Sequence, residues 1–311
     1  MTLKELYDKK INIMEYLRDN HNIDFNDKDI IKCSYDMQAG SYIKGYKNLS
    51  HVPVLVRRKT NDYALEEIDK VEYRNLWYEA AANIFDSLDY NSILDAGTGE
   101  ATTLHGIMKN SKKIPQRIYG VDISLSRVLY ASNFYSKEFS QHNSSFVTGN
   151  IFDLPFADSS IDLVFTCHAI EPNTNKEKDI LQELYRVAKK YLLMIEPSYN
   201  LGSDATKENI LKHKYITKLH STAIELGYKV IRYELFDISM DKNMSEIIII
   251  EKNTETTENQ SVYACPICKK TLKYHNNQFY CHNCLLVYPV INNIPVLNRE
   301  YGILCSKFLE F

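Results

Sequence analysis

The sequence predicts an α/β fold, with a parallel sheet that carries helices on both faces, followed by a small cysteine-bearing unit. From residue 92 onward, short apolar segments alternate with longer segments of helical spacing, and this alternation is typical of a parallel sheet. Near the C-terminus, two CxxC pairs follow a stretch that lacks large apolar residues. The 311 residues are enough for one large domain and one small one.

The individual elements follow from apolar periodicity and turn residues. Residues 33–62 contain Gly40, Gly45 and Pro53, which predict loop with short elements. The last two strands are joined by a short turn and should pair as an antiparallel hairpin. Helices are predicted at 3–18, 64–88, 102–109, 124–139, 176–189 and 206–226, and strands at 92–95, 117–122, 145–147, 161–166, 191–196, 229–236 and 245–251.

Charge and hydropathy exclude several classes of protein. The net charge is −3, with +3 on residues 1–60, +3 on residues 261–311 and −9 between them. A nucleic-acid binder usually has a stronger basic cluster, so nucleic acid is not the favoured partner. No apolar run approaches the roughly 20 residues that span a bilayer, and the charged N-terminus lacks the apolar region of a signal peptide. A cytoplasmic protein without a membrane span is expected.

A glycine turn follows the first predicted strand of the sheet. Gly97 and Gly99 lack a Cβ, so a ligand can approach the backbone closely there. This pattern alone also fits a tight turn without a ligand, or the phosphate turn of a dinucleotide site. Thr102 occupies the third glycine position of the dinucleotide fingerprint, which weakens that reading. The carboxylates of Asp95 and Glu100 beside the turn would repel a pyrophosphate but suit an ammonium group.

A second acidic residue ends the next predicted strand. Asp122 closes the segment Ile118–Asp122, a position where a carboxylate can accept hydrogen bonds from both hydroxyls of a ribose. Taken alone, Asp122 fits equally well as the N-cap of the following helix. Together with the glycine turn, it favours a nucleoside-like ligand.

These motifs occur in the order ILDAGTGE, YGVDIS, FVTGNIFDLPFADSSIDLVFTCHAIE and RVAKKYLLMIEPS. This order resembles the class I S-adenosylmethionine-dependent methyltransferases and is most similar to the ubiquinone and menaquinone biosynthesis group. The resemblance covers about residues 65–251. It implies a Rossmann-like seven-stranded methyltransferase sheet, with S-adenosylmethionine as cofactor and methyl transfer by in-line displacement.

The resemblance also implies roles for individual residues. The methionine part of the cofactor would pass Gly97, Thr98 and Gly99, with Asp95 near its ammonium group. Asp122 would hold the ribose, Ile123 would pack on the adenine, and Asn150 and Ile151 would lie beside the adenine amino group. The family usually has an acid at position 150, but an Asn oxygen can also accept a hydrogen bond. His168 would lie next to the methyl donor.

Methyl transfer needs a general base only when the acceptor is a hydroxyl or a protonated amine. His168 and Glu171 are weak candidates, followed by Glu196. Each also has a structural interpretation: cofactor packing for His168, a turn before Pro172 for Glu171, and strand-end structure for Glu196. The catalytic residue therefore stays unknown at this stage.

The N-terminal segment resembles parts of this family that close over the cofactor and shape the acceptor pocket. Tyr35, Tyr42 and Tyr46 would line that pocket, and the basic run Arg57–Lys59 would meet an anionic acceptor. Buried tyrosines and a solvated basic loop are the alternative interpretation.

Four cysteines form two CxxC pairs, Cys265 with Cys268 and Cys281 with Cys284, separated by twelve residues. Four thiolates in this arrangement suit a structural Zn²⁺ ion, and a unit this small needs such support. A redox CxxC is the alternative, but no strand–helix unit follows it. His275 and His282 are less suitable ligands, and Cys33, Cys167 and Cys305 are predicted to be unpaired.

Residues 263–298, CPICKKTL to INNIPVL, resemble the small zinc-ribbon proteins that activate several methyltransferases. The resemblance implies a module that covers an apolar surface of the methyltransferase domain in cis. Asn292 and Asn293 replace the usual Asp-Gly-like turn, and asparagine tolerates the left-handed conformation that such a turn requires.

The predicted organisation is an N-terminal helical or lid segment at 1–63, a methyltransferase domain at 64–251, a linker at 252–261 and a zinc ribbon at 262–311. The expected function is S-adenosylmethionine-dependent methyl transfer to a small-molecule acceptor. An RNA or protein methyltransferase that uses the ribbon for recognition is the alternative, and a cofactor-binding protein without turnover is a third. The sequence does not define the oligomeric state.

Overall fold

The computed structural model describes residues 1–21, 25–252, 254 and 261–311. Most of the predicted linker, residue 253 and residues 255–260, lies outside the described residues. The α-helices are α1 Leu3–Asp8, α2 Ile13–His21, α3 Lys28–Met37, α4 Ser41–Lys47, α5 Lys70–Asp86, α6 Thr102–Asn110, α7 Leu125–Glu138, α8 Glu177–Val187, α9 Asp204–His213 and α10 Leu219–Glu225.

Seven strands form the central sheet, in the order β5-β4-β3-β6-β7-β10-β8. The pairs from β5 to β7 are parallel, and β10 pairs antiparallel with both β7 and β8. The predicted α/β class, the parallel sheet and the antiparallel pairing of its last two strands are confirmed. The connection between those two strands, predicted as a short turn, contains a further short strand, Ile238–Met240. The bounds are β3 Ser92–Ala96, β4 Arg117–Asp122, β5 Ser144–Thr148, β6 Ile161–Cys167, β7 Ala188–Pro197, β8 Lys229–Leu235 and β10 Ser245–Glu251.

The central strands are apolar on both sides because helices cover both faces of the sheet. Ile93 and Leu163 point into one buried cluster, which includes Phe85 of α5. Their neighbours Leu94 and Val164 point into the opposite cluster, which includes residues of α8. The period-two alternation of a strand therefore distributes its side chains between two helical layers.

A small antiparallel sheet, β2-β1-β9, packs against α5. It consists of β1 Pro53–Arg58, β2 Leu65–Asp69 and β9 Ile238–Met240. The predicted helix at 64–88 is therefore wrong at its start, where residues 65–69 pair with β1 instead. The region predicted as loop with short elements contains half of α3, all of α4, and β1.

Two long predicted helices are each divided in the structure. The segment 3–18 breaks after α1, and the segment 206–226 breaks after α9. In both cases a lysine adopts positive φ, 56° at Lys10 and 57° at Lys214. The backbone amide of the residue after each lysine donates a hydrogen bond to the carbonyl oxygen five residues earlier. These bonds run from Ile11 to Leu6 and from Tyr215 to Ile210. This is the Schellman motif at a helix C-terminus, in which the residue with positive φ is usually glycine. Because lysine occupies that position here, the sequence did not indicate the end of either helix.

The C-terminal unit packs against the edge strand β5. Its strands are β11 Lys273–His275, β12 Gln278–Cys281, β13 Leu286–Tyr288, β14 Val290–Ile291, β15 Ile294–Pro295 and β16 Ile303–Leu304. Val296 forms a parallel bridge with Thr148, and the amide of Leu297 donates to the oxygen of Thr148 at 3.1 Å. The unit thereby extends the sheet by a short segment and covers its edge.

Aromatic packing reinforces this contact. The ring of Tyr263 lies 6.2 Å from that of Tyr119, 5.6 Å from that of Phe156 and 5.4 Å from that of Phe279. Residues of the C-terminal unit and of the sheet consequently share one buried cluster. The tight turn at Asn292 and Asn293 has φ values of 49° and 63°, so the predicted left-handed turn is confirmed.

Helices α3 and α4, which we call the lid, cover the carboxyl ends of the central strands. The buried carboxylate of Glu100 accepts hydrogen bonds from the amides of Gly40 and Ile43 at 2.9 and 2.8 Å, and a longer one from Tyr42. Glu100 thus supplies the acceptor for the unpaired amides that begin α4. Among the described residues, no helix is long and apolar enough to cross a membrane.

We expect Glu100→Ala to loosen the lid and to lower the free energy of unfolding by about 2 kcal/mol, because buried amides lose a charged acceptor. Hydrogen exchange at residues 40–43 should accelerate. Glu79→Ala, on an exposed position of α5, is the matched control and should change neither quantity. Unchanged exchange at the lid amides in Glu100→Ala would contradict the anchoring role.

Candidate functional site

The glycine turn joins the ends of three strands. The amides of Gly97 and Thr98 both donate to the carbonyl oxygen of Val121, at 2.8 and 2.9 Å. Gly97 has φ of 87°, and a Cβ at this position would lie 2.4 Å from the Cβ of Ala169. Only glycine permits both this conformation and this contact. The turn therefore stands directly against the segment that follows β6.

Asp122 is tied to the same turn. Its carboxylate accepts from the amide of Gly99 at 3.0 Å and from that of Ser124 at 2.9 Å, with one bond on each oxygen. Each oxygen keeps a second lone pair for a hydroxyl donor. Burial raises the pKa of Asp122 above its ordinary value, while the charge of Arg127 acts in the opposite direction. The helix after Asp122 is capped by Ser124, so Asp122 is not its N-cap.

Asp95 lies behind the turn and not on the surface of the cavity. Its carboxylate is buried and accepts a hydrogen bond from the hydroxyl of Thr98 at 2.8 Å. Burial, together with the charge of Asp122, raises the pKa of Asp95 to about 7. Asp95 would therefore act on a ligand in the cavity in two ways, through the electrostatic attraction of its carboxylate and through its hydrogen bond with Thr98.

A cavity of about 470 Å³ opens at the carboxyl ends of the strands, a volume in the range of small-molecule sites. Of the nine residues predicted to contact the cofactor, Asp95 is the one that does not line it. The structure brings the other eight together on its wall: Gly97, Thr98, Gly99, Asp122, Ile123, Asn150, Ile151 and His168. Glu171 also lines the cavity.

The adenine-side residue Asn150 is partly committed within the protein. Its side-chain oxygen accepts from the amide of Phe152 at 3.1 Å, which leaves one lone pair on that oxygen and both amide hydrogens. The residue can therefore still accept one bond and can also donate.

His168 makes polar contacts through both ring nitrogens. Nδ1 lies 3.3 Å from Oε2 of Glu171 and 3.2 Å from Nδ2 of Asn243, and Nε2 lies 2.9 Å from Oγ of Ser245. Burial acts to lower the pKa of His168, but the hydrogen bond and charge of Glu171, with the charge of Glu196, raise it overall. The ring is therefore held in place and carries no nitrogen free of protein contacts.

Glu196 lies near the end of β7, where its charge interacts with that of His168. Its Oε1 accepts from the amide of Ala169 at 3.2 Å. Burial raises its pKa to about 7, so the carboxyl group is partly protonated near neutral pH. It fixes the segment after β6 that touches the glycine turn.

The cavity also contains residues that the sequence patterns did not single out. Tyr73, Trp77 and Tyr78 of α5 line it together with Met240 and Asn243. Tyr73 and Trp77 are four residues apart, and this helical spacing resembles a core stripe, which concealed their position. Arg127 also lines the cavity, and no motif identified it.

The predicted lid residues are divided by the structure. Tyr35 and Tyr42 line the cavity, whereas the hydroxyl of Tyr46 contacts Nδ1 of His105 at 3.0 Å, away from the cavity wall. The basic run pairs with acidic side chains instead of facing a ligand. Its ion pairs are Arg57 with Asp241, Arg58 with Glu66 and Lys59 with Glu234.

The four cysteines of the C-terminal unit converge. Their sulfur atoms all lie within 4.8 Å of one another, with 4.0 Å between Cys265 and Cys284 and 3.5 Å between Cys268 and Cys281. Tetrahedral Zn–S bonds of about 2.3 Å imply S···S distances of roughly 3.8 Å, so the geometry fits this ion. Among the described residues, His275 and His282 do not join the group.

The comparisons with known proteins agree with this architecture. The methyltransferase domain family matches residues 89–260. Ajmaline N-methyltransferase of Rauvolfia serpentina is 34% identical over 98 residues, or 31% of this chain and 32% of that protein. Malonyl-[acyl-carrier protein] O-methyltransferase of a Marinomonas species is 37% identical over 111 residues, or 36% of this chain and 39% of that protein. The chain thus spans well under half the length of these two relatives.

A third relative covers a shorter segment. The UPF0434 protein of Histophilus somni is 40% identical over 50 residues, which is 15% of this chain and 77% of that protein. The chain therefore belongs to the methyltransferase domain family, and over these 50 residues also to the family of the UPF0434 protein.

Solved structures share the fold at low identity. Magnesium protoporphyrin IX methyltransferase from Synechocystis PCC 6803, crystallised with bound SAH, has a TM-score of 0.50 and 14% identity. The match covers 73% of this chain and 100% of that one. The [4+2]-cyclase SpnF has a TM-score of 0.53 and 13% identity, over 72% of this chain and 96% of that one. A shared fold therefore does not by itself define the reaction.

We expect Cys281→Ser to abolish retention of one zinc ion per chain and to lower the Tm by about 5 °C or more, because the thiolate set is incomplete. Metal analysis of the purified protein and a thermal melt measure the two effects. Cys305→Ser removes a thiol outside the cluster and is the matched control. Equal zinc content in both variants would contradict a four-cysteine site.

Proposed function

We propose that this chain is an S-adenosylmethionine-dependent methyltransferase that acts on a small-molecule acceptor. The observation that carries the proposal is the cavity in which the Gly97–Gly99 turn and the carboxylate of Asp122 face the same space. Membership of the methyltransferase domain family supports it. The predicted boundaries, 64–251 for the catalytic domain and 262–311 for the ribbon, are part of the proposal.

In this proposal the cofactor lies along the carboxyl ends of β3, β4 and β5. The methionine part would pass Gly97, Thr98 and Gly99, the ribose would bind Asp122, and the adenine would lie near Ile123, Asn150 and Ile151. Glu100 also lines the cavity, but its carboxylate accepts amides of the lid, so we assign it to anchoring the lid and not to binding the cofactor. Asp95 would act on the ammonium group from behind Thr98.

When bound, S-adenosylmethionine supplies an electrophilic methyl group on a sulfonium sulfur. The protein has to align an acceptor with that group and exclude water, which accounts for much of the rate of such a displacement. The lid closes the cavity over the glycine turn, and His168 holds its wall. Because both nitrogens of His168 are engaged, we assign it a positioning role and do not assign a general base.

The acceptor side of the cavity supports a small molecule. Tyr73, Trp77 and Tyr78 present aromatic surface there, which suits apolar or planar groups. The two methyltransferase relatives are named for N- and O-methylation, respectively, so this domain is compatible with either acceptor atom.

We further propose that Cys265, Cys268, Cys281 and Cys284 hold a structural Zn²⁺ and that the ribbon stabilises the methyltransferase domain in cis. The shared buried cluster and the backbone bonds to β5 support this. None of the seven cysteines, all of which are among the described residues, forms a disulfide, which fits our proposal of a reducing, cytoplasmic setting.

We expect Asp122→Ala to weaken S-adenosylmethionine and S-adenosylhomocysteine binding by about 100-fold, because charge-assisted bonds to the ribose hydroxyls are lost. Calorimetric titration measures both affinities. Asp89→Ala removes an exposed carboxylate and serves as the control. If the wild-type protein is folded and zinc-loaded but binds neither compound, the proposed cofactor is wrong.

We expect cofactor affinity to rise with pH between about 6 and 8. The pKa of Asp95 is about 7 in the free protein, and a bound cation favours the ionised carboxylate, so binding releases a proton. Affinity then increases by up to about tenfold per pH unit below that pKa. Calorimetric titrations in buffers of different ionisation enthalpy measure the number of protons released when the cofactor binds.

The isosteric variant Asp95→Asn cannot ionise, so it tests whether Asp95 causes the pH dependence of cofactor affinity. Its affinity should depend less on pH than that of the wild-type protein. His168, whose pKa is raised, would leave a residual dependence of the same sign, because a bound cation also favours loss of its proton. Affinity that falls with pH in the wild-type protein would contradict the assignment.

A further inference from the structure

Arg127 is a buried cation in the wall of the cavity. It lies in the first turn of α7 and is 6% exposed. Its Nε and Nη2 atoms are buried and have no hydrogen-bond partner among the described residues. Unsatisfied donors of a buried charged group are costly, and the N-terminal end of a helix also disfavours a cation. Hydrogen bonding among the described residues therefore does not account for a cation at this position.

Neighbouring groups hold the guanidinium in one place. The ring centroids of Tyr42 and Tyr35 lie 4.4 and 4.9 Å from its Cζ, so lid side chains cover it. Its Nη1 lies 3.2 Å from the point where a Cβ on Gly99 would stand. The guanidinium therefore lies over the second glycine of the turn, beneath the lid.

The charged groups around it are acidic. Arg127 opposes the burial-driven rise in the pKa of Asp122. Asp36 of the lid lies nearby, but its two oxygens accept from the hydroxyls of Ser124 and Ser126. The guanidinium is thus attracted to Asp122, and among the described residues its Nε and Nη2 donors have no hydrogen-bond partner and remain available to a ligand.

We propose that Arg127 binds the α-carboxylate of the cofactor, an inference that rests on the proposed function. The carboxylate is the anionic group of S-adenosylmethionine, and the glycine turn is where its methionine part would lie. The planar fork of a guanidinium matches a carboxylate with two parallel bonds. Binding would satisfy the donors that are otherwise unpaired.

Other cations on the cavity wall fit this role less well. Arg74 donates to the carbonyl oxygen of Tyr46 at 2.5 Å and lies against the ring of Tyr46. Lys28 is exposed to solvent, where screening weakens its attraction for an anion. Arg127 therefore combines burial, unpaired donors and proximity to the turn.

The test compares two ligands that differ by this one group, S-adenosylmethionine and decarboxylated S-adenosylmethionine. Both carry the sulfonium, the amine, the ribose and the adenine. Calorimetric titration of the full chain with each compound, without any acceptor, gives two affinities. The wild-type protein should prefer the compound with the carboxylate by about 10- to 100-fold.

Arg127→Met removes the charge and keeps an unbranched side chain between the two tyrosines. It should lose that preference, with weaker binding of S-adenosylmethionine and unchanged or tighter binding of the decarboxylated compound. Arg74→Met is the matched control and should retain the preference. Binding of the decarboxylated compound also shows that the variant is folded.

Two results would refute the proposed role of Arg127, and a third, which is distinguishable from both, would refute the proposed function. If Arg127→Met weakens both ligands equally, the residue only balances the charge of Asp122, and the proposal fails. If both affinities, and with them the preference, are unchanged in the variant, another group binds the carboxylate, and the proposal also fails. If the wild-type protein binds neither ligand, the proposed function itself is wrong.

Discussion

The backbone turn at Gly97–Gly99 is the constraint on which the rest of the cavity depends. Two of its amides converge on the carbonyl oxygen of Val121, and a third donates to Asp122. On the opposite side it touches Ala169, just beyond β6. One short segment therefore fixes the ends of β3, β4 and β6 relative to one another, and the space between those ends is the cavity.

The lid depends on the same segment. Glu100, one residue after the turn, accepts the amides that begin α4, while Arg127, five residues after Asp122, lies against Tyr35 and Tyr42. Lid contacts and cavity contacts are thus made by neighbouring side chains. A ligand that pairs with Arg127 would bind the guanidinium that also contacts the rings of Tyr35 and Tyr42. Ligand binding and lid closure would therefore both depend on the position of Arg127.

The sequence predicted the strands of the central sheet more closely than the helices, because buried strands carry a local signature, but it did not predict β1, β2 or β9. The bounds of β4 and β10 agree with the prediction. The breaks at Lys10 and Lys214 are set by backbone geometry that lysine does not reveal. Eight proposed cofactor contacts lie on one cavity because their motifs end adjacent strands. Trp77 and Arg127 escaped prediction, since periodicity cannot distinguish a residue that faces a core from one that faces a cavity.

Contact between the C-terminal unit and the central sheet stabilises both, because it pairs an edge strand of the sheet and enlarges the core of the unit. Strand β5 is an edge strand, with backbone groups that need a partner, and the unit supplies one through Val296 and Leu297. In return, the unit gains a core that its own size does not provide, because Tyr263 and Phe279 pack with sheet residues. Thr148, which receives these bonds, is followed by Gly149 and Asn150 on the cavity wall. The edge that the unit covers is therefore also the edge that shapes the proposed adenine site.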